Sequence, residues 1–480
     1  MVLGVCYTAK HLQPVSRENP MSAETTAAGT TGARIQQALE SATETRMFWL
    51  GEDMLARAPE MFKALFPGRS ACLVADPNTL VAAGREVHAA LRTAGVAVVQ
   101  PHVFEKPPHA ALAEAEAVRE ILKTRDAVAV AVGAGSINDI CKLASDPLGA
   151  GYLCVATAAS VDGYASHGAP MTSGGFKKTV PCRAPLGIVA DVGVLRRAPY
   201  ELTASGYADL MAKVTGGADW IIADALGAGS EPIHAAAWRL VQEPLAGWLN
   251  HPRELKEGDP AAFEGLFEGL ALSGFAMQAA QSSRPASGCE HMFSHVWEMA
   301  GLRRPDGSEP SHGFKVGIGT LAALAAMEHL FATPFTRDDI DEAVARYPAW
   351  ETREGMVRKL FGDGEAGDRV VAESRAKHLE PDALRKRLAD VADRFGELRE
   401  RVDAQLMPWM RMREMLRCAG CPVTPGEIGL STARCGATVI AAQMIRSRYT
   451  VLDLAYETGR FHDVVRRVAD VWSEVPGAGA

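Results

Sequence analysis

The sequence predicts a two-part fold, an α/β nucleotide-binding domain followed by an all-α domain. Three observations predict it. From about Phe66 to Gly193, short continuous apolar runs alternate with helix-period stretches. After about Ala198 that rhythm stops and only helix-period segments follow. The chain has 480 residues, long for one compact core, so two domains are the expectation. Continuous apolar runs separated by helices indicate parallel strands covered on both faces.

Taken in order, "SACLVAD" is a strand ending at Asp76, and "VAAGREVHAALRTAG" is an amphipathic helix closed by Gly95. "VAVVQPHVF" is the next strand, "AALAEAEAVREILKT" a helix, and "AVAVAVGAGS" a third strand. "INDICKLASDP" opens a helix, and "YLCVATAAS" and "LGIVAD" are further strands. Beyond them, "YADLMAKVTGGADWIIADAL", "AAFEGLFEGLALSGFAMQAAQ" and "GIGTLAALAAMEHLFA" carry the helical period. A long charged stretch from Ala372 to Gly420 reads as solvated helix, and the segment from Thr438 to Gly459 is helical too. The expected organisation is a mobile tail over residues 1–42, an α/β domain over 43–198 and a helical domain over 199–480. Small polar residues in "MSAETTAAGTTGA" underlie the tail expectation, and Met21 is an alternative start.

Apolar residues make up 48% and charged residues 22%, a globular balance. The net charge of −8 argues against a nucleic-acid or anionic-membrane binder while leaving room for a local basic pocket. Nine irregularly spaced cysteines are no disulfide framework and read as reduced and cytosolic, so a cytoplasmic protein is expected. The lone pair in "CAGC" lacks a second pair and is not read as a zinc site. The first residues carry no basic charge before their short apolar start and fail as a secretory signal, and no membrane span is expected.

The chemistry-bearing segments begin with "VAVGAGSINDICK". A strand there runs into Gly133, Ala134, Gly135 and Ser136, then a helix carrying Ile137, Asn138 and Asp139. Glycines at such a turn admit a phosphate to the backbone, and the helix start offers free N–H groups; a plain tight turn is the alternative. Asp76, at a strand end, is suited to a ribose hydroxyl or to capping the helix after Pro77. A dispersed set follows: Asp209, the pair His291 and His295 at i, i+4, and His312. One acid with two or three imidazoles suits a divalent ion with open positions, although a single histidine is more often a structural hydrogen-bonder. In "VATAASVDGYASHG" an apolar run presents one carboxylate, Asp162. Lys177 and Lys178 follow closely, as substrate-facing or simply exposed cations.

Together "GAGSINDICK", "ATAASVDGYASHGAP", "GGFKKTVPCRAPLGIVAD", "GYADLMAKVTGGADWIIADAL", "GCEHMFSHVWEM" and "SHGFKVGIGT" resemble, in order, the bacterial branch of the sn-glycerol-1-phosphate dehydrogenases. "EIGLS" and "IRSRYTVLDLAYETG" resemble it as well, so the likeness spans roughly Thr43 to Phe461. That family belongs to the metal-dependent dehydrogenase superfamily with glycerol dehydrogenase and dehydroquinate synthase. The resemblance implies a dehydroquinate synthase-like fold and reduction of dihydroxyacetone phosphate by NAD(H) or NADP(H). It implies one divalent metal, nickel or zinc, and a lipid-type biosynthetic role for the product; a homodimer is the expected assembly. Carried over residue by residue, it places a phosphate loop on Gly135, Ser136, Ile137, Asn138 and Asp139. It places a second cofactor strip on Thr157, Ala158, Ala159 and Ser160, with Ser166 beyond it and Asp76 near the ribose. Metal ligands fall on Asp209, His291 and His312, and substrate contacts on Asp162, Asp209 and His295. Phe314 departs from the pattern, since an acid or amide usually follows that His-Gly. The rival readings are a glycerol or polyol dehydrogenase without a phosphate site and a dehydroquinate synthase-like cyclase. The latter normally has Glu where Asp209 stands.

Overall fold

A computed structural model describes residues 5–8, 27–173, 176–229 and 231–474. The chain forms two compact units, Met1–Leu210 with Ala235–Ser283, and Met211–His234 with Arg284–Ala480.

The first unit is built on a seven-stranded sheet. Its strands are β1 (Val5–Thr8), β2 (Met47–Gly51), β3 (Ser70–Ala75), β4 (His102–Val103), β5 (Ala127–Gly133), β6 (Tyr152–Ala156) and β9 (Gly187–Asp191). The spatial order is β1-β2-β9-β6-β5-β3-β4. All neighbours are parallel except the edge strand β1, which runs antiparallel to β2. Every residue of β5, β6 and β9 is buried, which is why these strands read as unbroken apolar runs. Trp49, Leu73, Val130, Val155 and Val189 share one core cluster with Met61 and Phe62 of the helix Ala58–Leu65.

Some expected elements are shorter or interrupted. The strand expected from Val96 is reduced to His102–Val103 and a single bridge at Val98, because Pro101 has no N–H to give a ladder. The helix expected from Val81 begins with a π-helical turn, Leu80–Gly84, and becomes α only at Arg85. A helix, Ala27–Ser41, lies within the stretch expected to be a tail; residues 1–4 and 9–26 of that stretch lie outside the described residues. Two strands, β7 (Ala169–Ser173) and β8 (Phe176–Val180), pair antiparallel outside the main sheet.

The first unit also takes helices from beyond the expected boundary at 198. The helix Pro260–Ala280 belongs to it because its aromatic side chains meet β2. Phe48 stacks with Phe267 at 6.2 Å and meets Phe275 edge-on at 5.9 Å between ring centroids. Gln278 adds polar ties, its Nε2 donating to Thr45 Oγ1 at 2.9 Å and to the Ala165 carbonyl at 2.6 Å.

The second unit is helical throughout its described residues. The helix His312–Ala332 is long and apolar enough to cross a membrane by length and composition alone, a test that a buried core helix also passes, and the expectation of no membrane span is not overturned by it. Within this fold 89% of its most apolar window is buried. Its small residues allow close packing: a Cβ on Gly319 would lie 2.4 Å from the Glu290 carbonyl oxygen. The charged region expected as one long helical stretch divides at its prolines into Glu365–Arg375, Pro381–Gln405 and Trp409–Cys418.

Two glycines mark opposite consequences of adding a methyl group. A Cβ on Gly206 would lie 1.9 Å from the Ala159 carbonyl oxygen, whereas one on Gly396, inside Pro381–Gln405, meets nothing within 4 Å. Gly206→Ala is expected to destabilise by about 1–3 kcal/mol through overpacking. Gly396→Ala is expected to stabilise by about 0.5–1 kcal/mol through backbone entropy. Urea unfolding of both variants checks this, and equal effects would contradict it.

Candidate active site

β3 and β5 are adjacent and parallel. The chain leaves β3 toward β4 at one edge of the sheet and leaves β5 toward β6 on the other side. Such a reversal opens a crevice at the carboxyl ends of the two strands, where open α/β sheets hold ligands. Asp76 follows β3, and Gly133 to Ser136 end β5.

The helix Gly135–Ser145 begins without a side-chain cap, so its first N–H groups face the crevice end of β5 unclaimed by a side chain. Gly133 is fixed by packing, since a Cβ there would meet the Ile137 side chain at 2.6 Å. Asn138 is used within the protein: its Nδ2 donates to the Gly163 carbonyl at 3.3 Å, and its Oδ1 accepts from Tyr152 Oη at 2.8 Å. Asp76 caps its helix, Oδ1 accepting from Asn78 and Thr79 N–H at 2.8 and 2.9 Å while Thr79 Oγ1 takes the Asp76 N–H. Of the two sequence alternatives for Asp76, the cap is therefore present in the fold.

The segment after β6 is pinned from both ends. Thr157 N–H donates to the Gly133 carbonyl at 3.2 Å, tying the end of β6 to the glycine turn. Tyr164 Oη donates to the Ala158 carbonyl at 2.5 Å, and Ser205 Oγ to the Ser160 carbonyl at 3.4 Å. Lys142 is wholly buried, and its ammonium donates to the Gly163, Ser166 and Gly168 carbonyls, each at 3.0 Å, and to Ser166 Oγ at 3.1 Å. Asp139 stands 3.7 Å from it as counter-charge. Ser166 is thus part of the clamp. Asp162 sits at the start of the clamped turn, and its N–H donates to Asp209 Oδ2 at 3.0 Å. Asp209, fully buried, lies on the helix Tyr200–Ala225.

In the second unit the histidines come together. His291 and His295 lie on the helix Cys289–Met299, with ring centroids 6.4 Å apart. His312, the first residue of the next long helix, has its ring 5.5 Å from that of His291. Each of His291 and His312 has a carboxylate at Nδ1: Glu290 Oε1 at 2.9 Å and Glu298 Oε1 at 3.0 Å. An Nδ1–H donated to a carboxylate leaves Nε2 as the free lone pair, the tautomer a metal ligand requires.

Glu290 is fully buried. Burial alone would raise its carboxyl, but the hydrogen bonds from His291 and the Gly288 N–H pull the other way, and it lies below the ordinary carboxylate value. Thr215 Oγ1 satisfies its other oxygen at 3.0 Å. The start of the histidine helix is held by Asp219, which accepts from Cys289 N–H at 2.7 Å and from Val451 N–H at 2.6 Å. Burial, and then the neighbouring Glu290, push the Asp219 carboxyl up to about 7. Phe314, the departure noted in the sequence, packs its ring under the Arg304 guanidinium at 5.5 Å. Glu298, which also pairs with Lys315 at 3.3 Å, is the acid that reaches His312.

Sequence reasoning missed Lys142, Glu290 and Glu298 as site residues. Lys142 lay inside a quoted motif, but a lysine one helical turn beyond an aspartate reads as a surface ion pair. The side chains of Lys177 and Lys178 lie outside the described residues.

Residues 49–199 match the family described as iron-containing alcohol dehydrogenase. Over 305 residues the chain is 35% identical to a glycerol-1-phosphate dehydrogenase (NAD(P)+) of Bacillus velezensis, covering 60% of this chain and 75% of the relative. A protein of the same name from Bacillus subtilis is 33% identical, over 60% of this chain and 75% of its own length. Among solved structures, a probable glycerol dehydrogenase from Sinorhizobium meliloti 1021 shares the fold with TM-score 0.55 at 15% identity, covering 87% of this chain and 96% of that one.

Removing the Lys142 ammonium would take from the Ser166 and Gly168 carbonyls the donor that they share, while the Gly163 carbonyl keeps Asn138 Nδ2 and the Ser166 hydroxyl. Lys142→Met is expected to cost about 3–5 kcal/mol in urea unfolding. A loss below about 1 kcal/mol would show that the clamp is not what holds the turn.

Proposed function

The chain belongs to the glycerol-1-phosphate dehydrogenase family, and from that premise we propose that it reduces dihydroxyacetone phosphate to sn-glycerol 1-phosphate, reversibly, with NAD(P)H and a divalent metal. The observation that carries the metal part is the pair His291 and His312, each with Nδ1 on its own carboxylate. Two imidazoles fixed in that tautomer suit a borderline divalent ion such as nickel or zinc, and the family likeness gives the Asp209 carboxylate as the third donor.

The dinucleotide would lie across the crevice between β3 and β5. Its phosphates would rest on the N–H groups of Gly135, Ser136 and Ile137, with Asn138 and Asp139 behind them in the same helix. Thr157 to Ser160 would pass beneath it, with Ser166 holding their turn. Asp76 would offer its second oxygen, Oδ2, to a ribose hydroxyl, because the cap uses only Oδ1. A carboxylate in that place favours NAD over NADP by repelling a 2′-phosphate.

When bound, the ion supplies Lewis acidity toward the ketone oxygen and the nicotinamide supplies the hydride. The chain's own residues do the rest. Asp162 accepts a hydrogen bond from the substrate hydroxyl and so fixes which face of the ketone carbon is presented. Asp209 receives the Asp162 N–H and holds that turn against the reacting centre. His295, one turn from His291, delivers the proton to the oxygen that becomes the new hydroxyl. The substrate phosphate needs a cation, and Lys213, buried one turn beyond Asp209 on the same helix, is our candidate.

The deciding assay offers dihydroxyacetone phosphate with NADH or NADPH, in nickel, zinc or chelator, followed by chiral analysis of the product. sn-Glycerol 1-phosphate formed only with metal is expected. The 3-phosphate enantiomer, or faster turnover of free glycerol than of its phosphate in the reverse direction, would overturn the reading.

Metal titration tests the carboxylates. Glu298→Gln is expected to bind nickel about 10–100-fold more weakly while folding normally, and His291→Ala to lose stoichiometric metal. Unchanged metal content in His291→Ala would remove it from the ligand set.

A further inference from the structure

We propose that Lys315 is a positioning residue for the metal centre, acting on His312 through Glu298, with Glu309 screening its charge. The proposal rests on the reading of His312 as a metal ligand.

Lys315 lies one turn beyond His312 on the same helix, His312–Ala332. Its ammonium stands 3.3 Å from Glu298 Oε1 and 3.3 Å from Glu309 Oε1. Glu298 is on the neighbouring helix Cys289–Met299, and Glu309 is in the segment that joins the two helices. Glu298 Oε1 is also the oxygen that meets His312 Nδ1 at 3.0 Å. One carboxylate oxygen is thus held by two groups from a single turn of the facing helix. The side chains grade outward, Lys315 being 3% exposed, Glu298 9% and Glu309 47%. The spacing of the two helices is itself fixed one turn further on, where Gly319 packs against the Glu290 carbonyl.

Lys315 has two effects on a bound cation, and they have opposite signs. As a charge it repels a divalent ion nearby. As a partner it fixes Glu298, and through Glu298 the ring of His312. Without Lys315 an enclosed carboxylate would lose its cation, and the charge between Glu298 and Glu309 would be gone, so that the two acids repel. Glu298 would then turn away from His312 Nδ1. Glu309 reduces the first effect and leaves the second, because its negative charge offsets the ammonium without touching the imidazole's own acceptor. Orientation is therefore the larger effect, as it is for carboxylates that support metal-binding imidazoles.

The test is a competition titration of nickel between a chromophoric chelator and the full chain stripped of metal. Four proteins are compared, the wild type, Lys315→Met, Glu298→Gln and the double variant, with the thermal midpoint of each metal-free protein as the folding control. Lys315→Met is expected to bind nickel about 10-fold more weakly. In the Glu298→Gln background the same change is expected to cost less than about twofold, since the route through Glu298 is already lost. Glu309→Gln, which leaves the ammonium unscreened, is expected to weaken binding about threefold. Lys315→Arg, which keeps the cation, is expected to recover part of the loss. Unchanged or tighter binding in Lys315→Met overturns the proposal, because a purely structural or purely electrostatic role gives that result. An equal loss in both backgrounds overturns it as well, since Lys315 would then act by another route. Lys315→Gln is read in the same way where Lys315→Met fails to fold. A wild type that takes up no stoichiometric nickel or zinc would overturn the metal reading itself, and this proposal with it.

Discussion

One buried ammonium organises the first unit's functional end. Lys142 reaches from the helix that follows the glycine turn and holds three carbonyls of the turn that follows Asp162. Burying a lysine is costly unless its charge is met by acceptors and a counter-charge, and here it has four acceptors and Asp139. The consequence is geometric. The uncapped helix start and the Asp162 turn are tied together by these bonds, so on the proposed reading a cofactor on the first would be registered against a substrate on the second. Asn138 reinforces the tie through Gly163, and Tyr152 through Asn138.

The second unit solves a different problem, that of orienting imidazole rings. Glu290 and Glu298 each take an Nδ1–H, and each is itself held, Glu290 by Gly288 and Thr215, Glu298 by Lys315. Asp219 then fixes where the histidine helix begins and where the Val451 helix begins. The imidazoles are therefore preorganised by a layer of carboxylates that never needs to touch substrate.

Much of this was legible in the chain, for identifiable reasons. The central strands are buried on both faces, so their runs are unbroken and could be read directly. His291 and His295 share a helix face by spacing, and the structure brings His312 beside them. Other features left no signal. β2 is a five-residue strand lying ahead of the stretch where the alternation was read. β7 and β8 mix polar and apolar residues without a clean period. The helix Pro260–Ala280 is apolar on all sides, so its sequence says that it is buried but not against what; Phe267 and Phe275 on β2 give the answer. Carboxylates that support an imidazole have no fixed spacing from it: Glu290 is adjacent in sequence, Glu298 comes from the preceding helix. Asp76 was readable both ways, and its reciprocal bond with Thr79 shows the capping half.

The apolar helix His312–Ala332 has a consequence for biosynthesis. It is buried against the helix Phe461–Asp470, which is translated far downstream. While the ribosome makes the intervening residues, this apolar segment has only part of its cover, the upstream helix Cys289–Met299. Nascent chains at this stage depend on chaperone shielding or on provisional cover from nearer helices. Premature termination before Phe461 would leave a polypeptide that already bears the imidazoles yet leaves one side of this apolar helix uncovered.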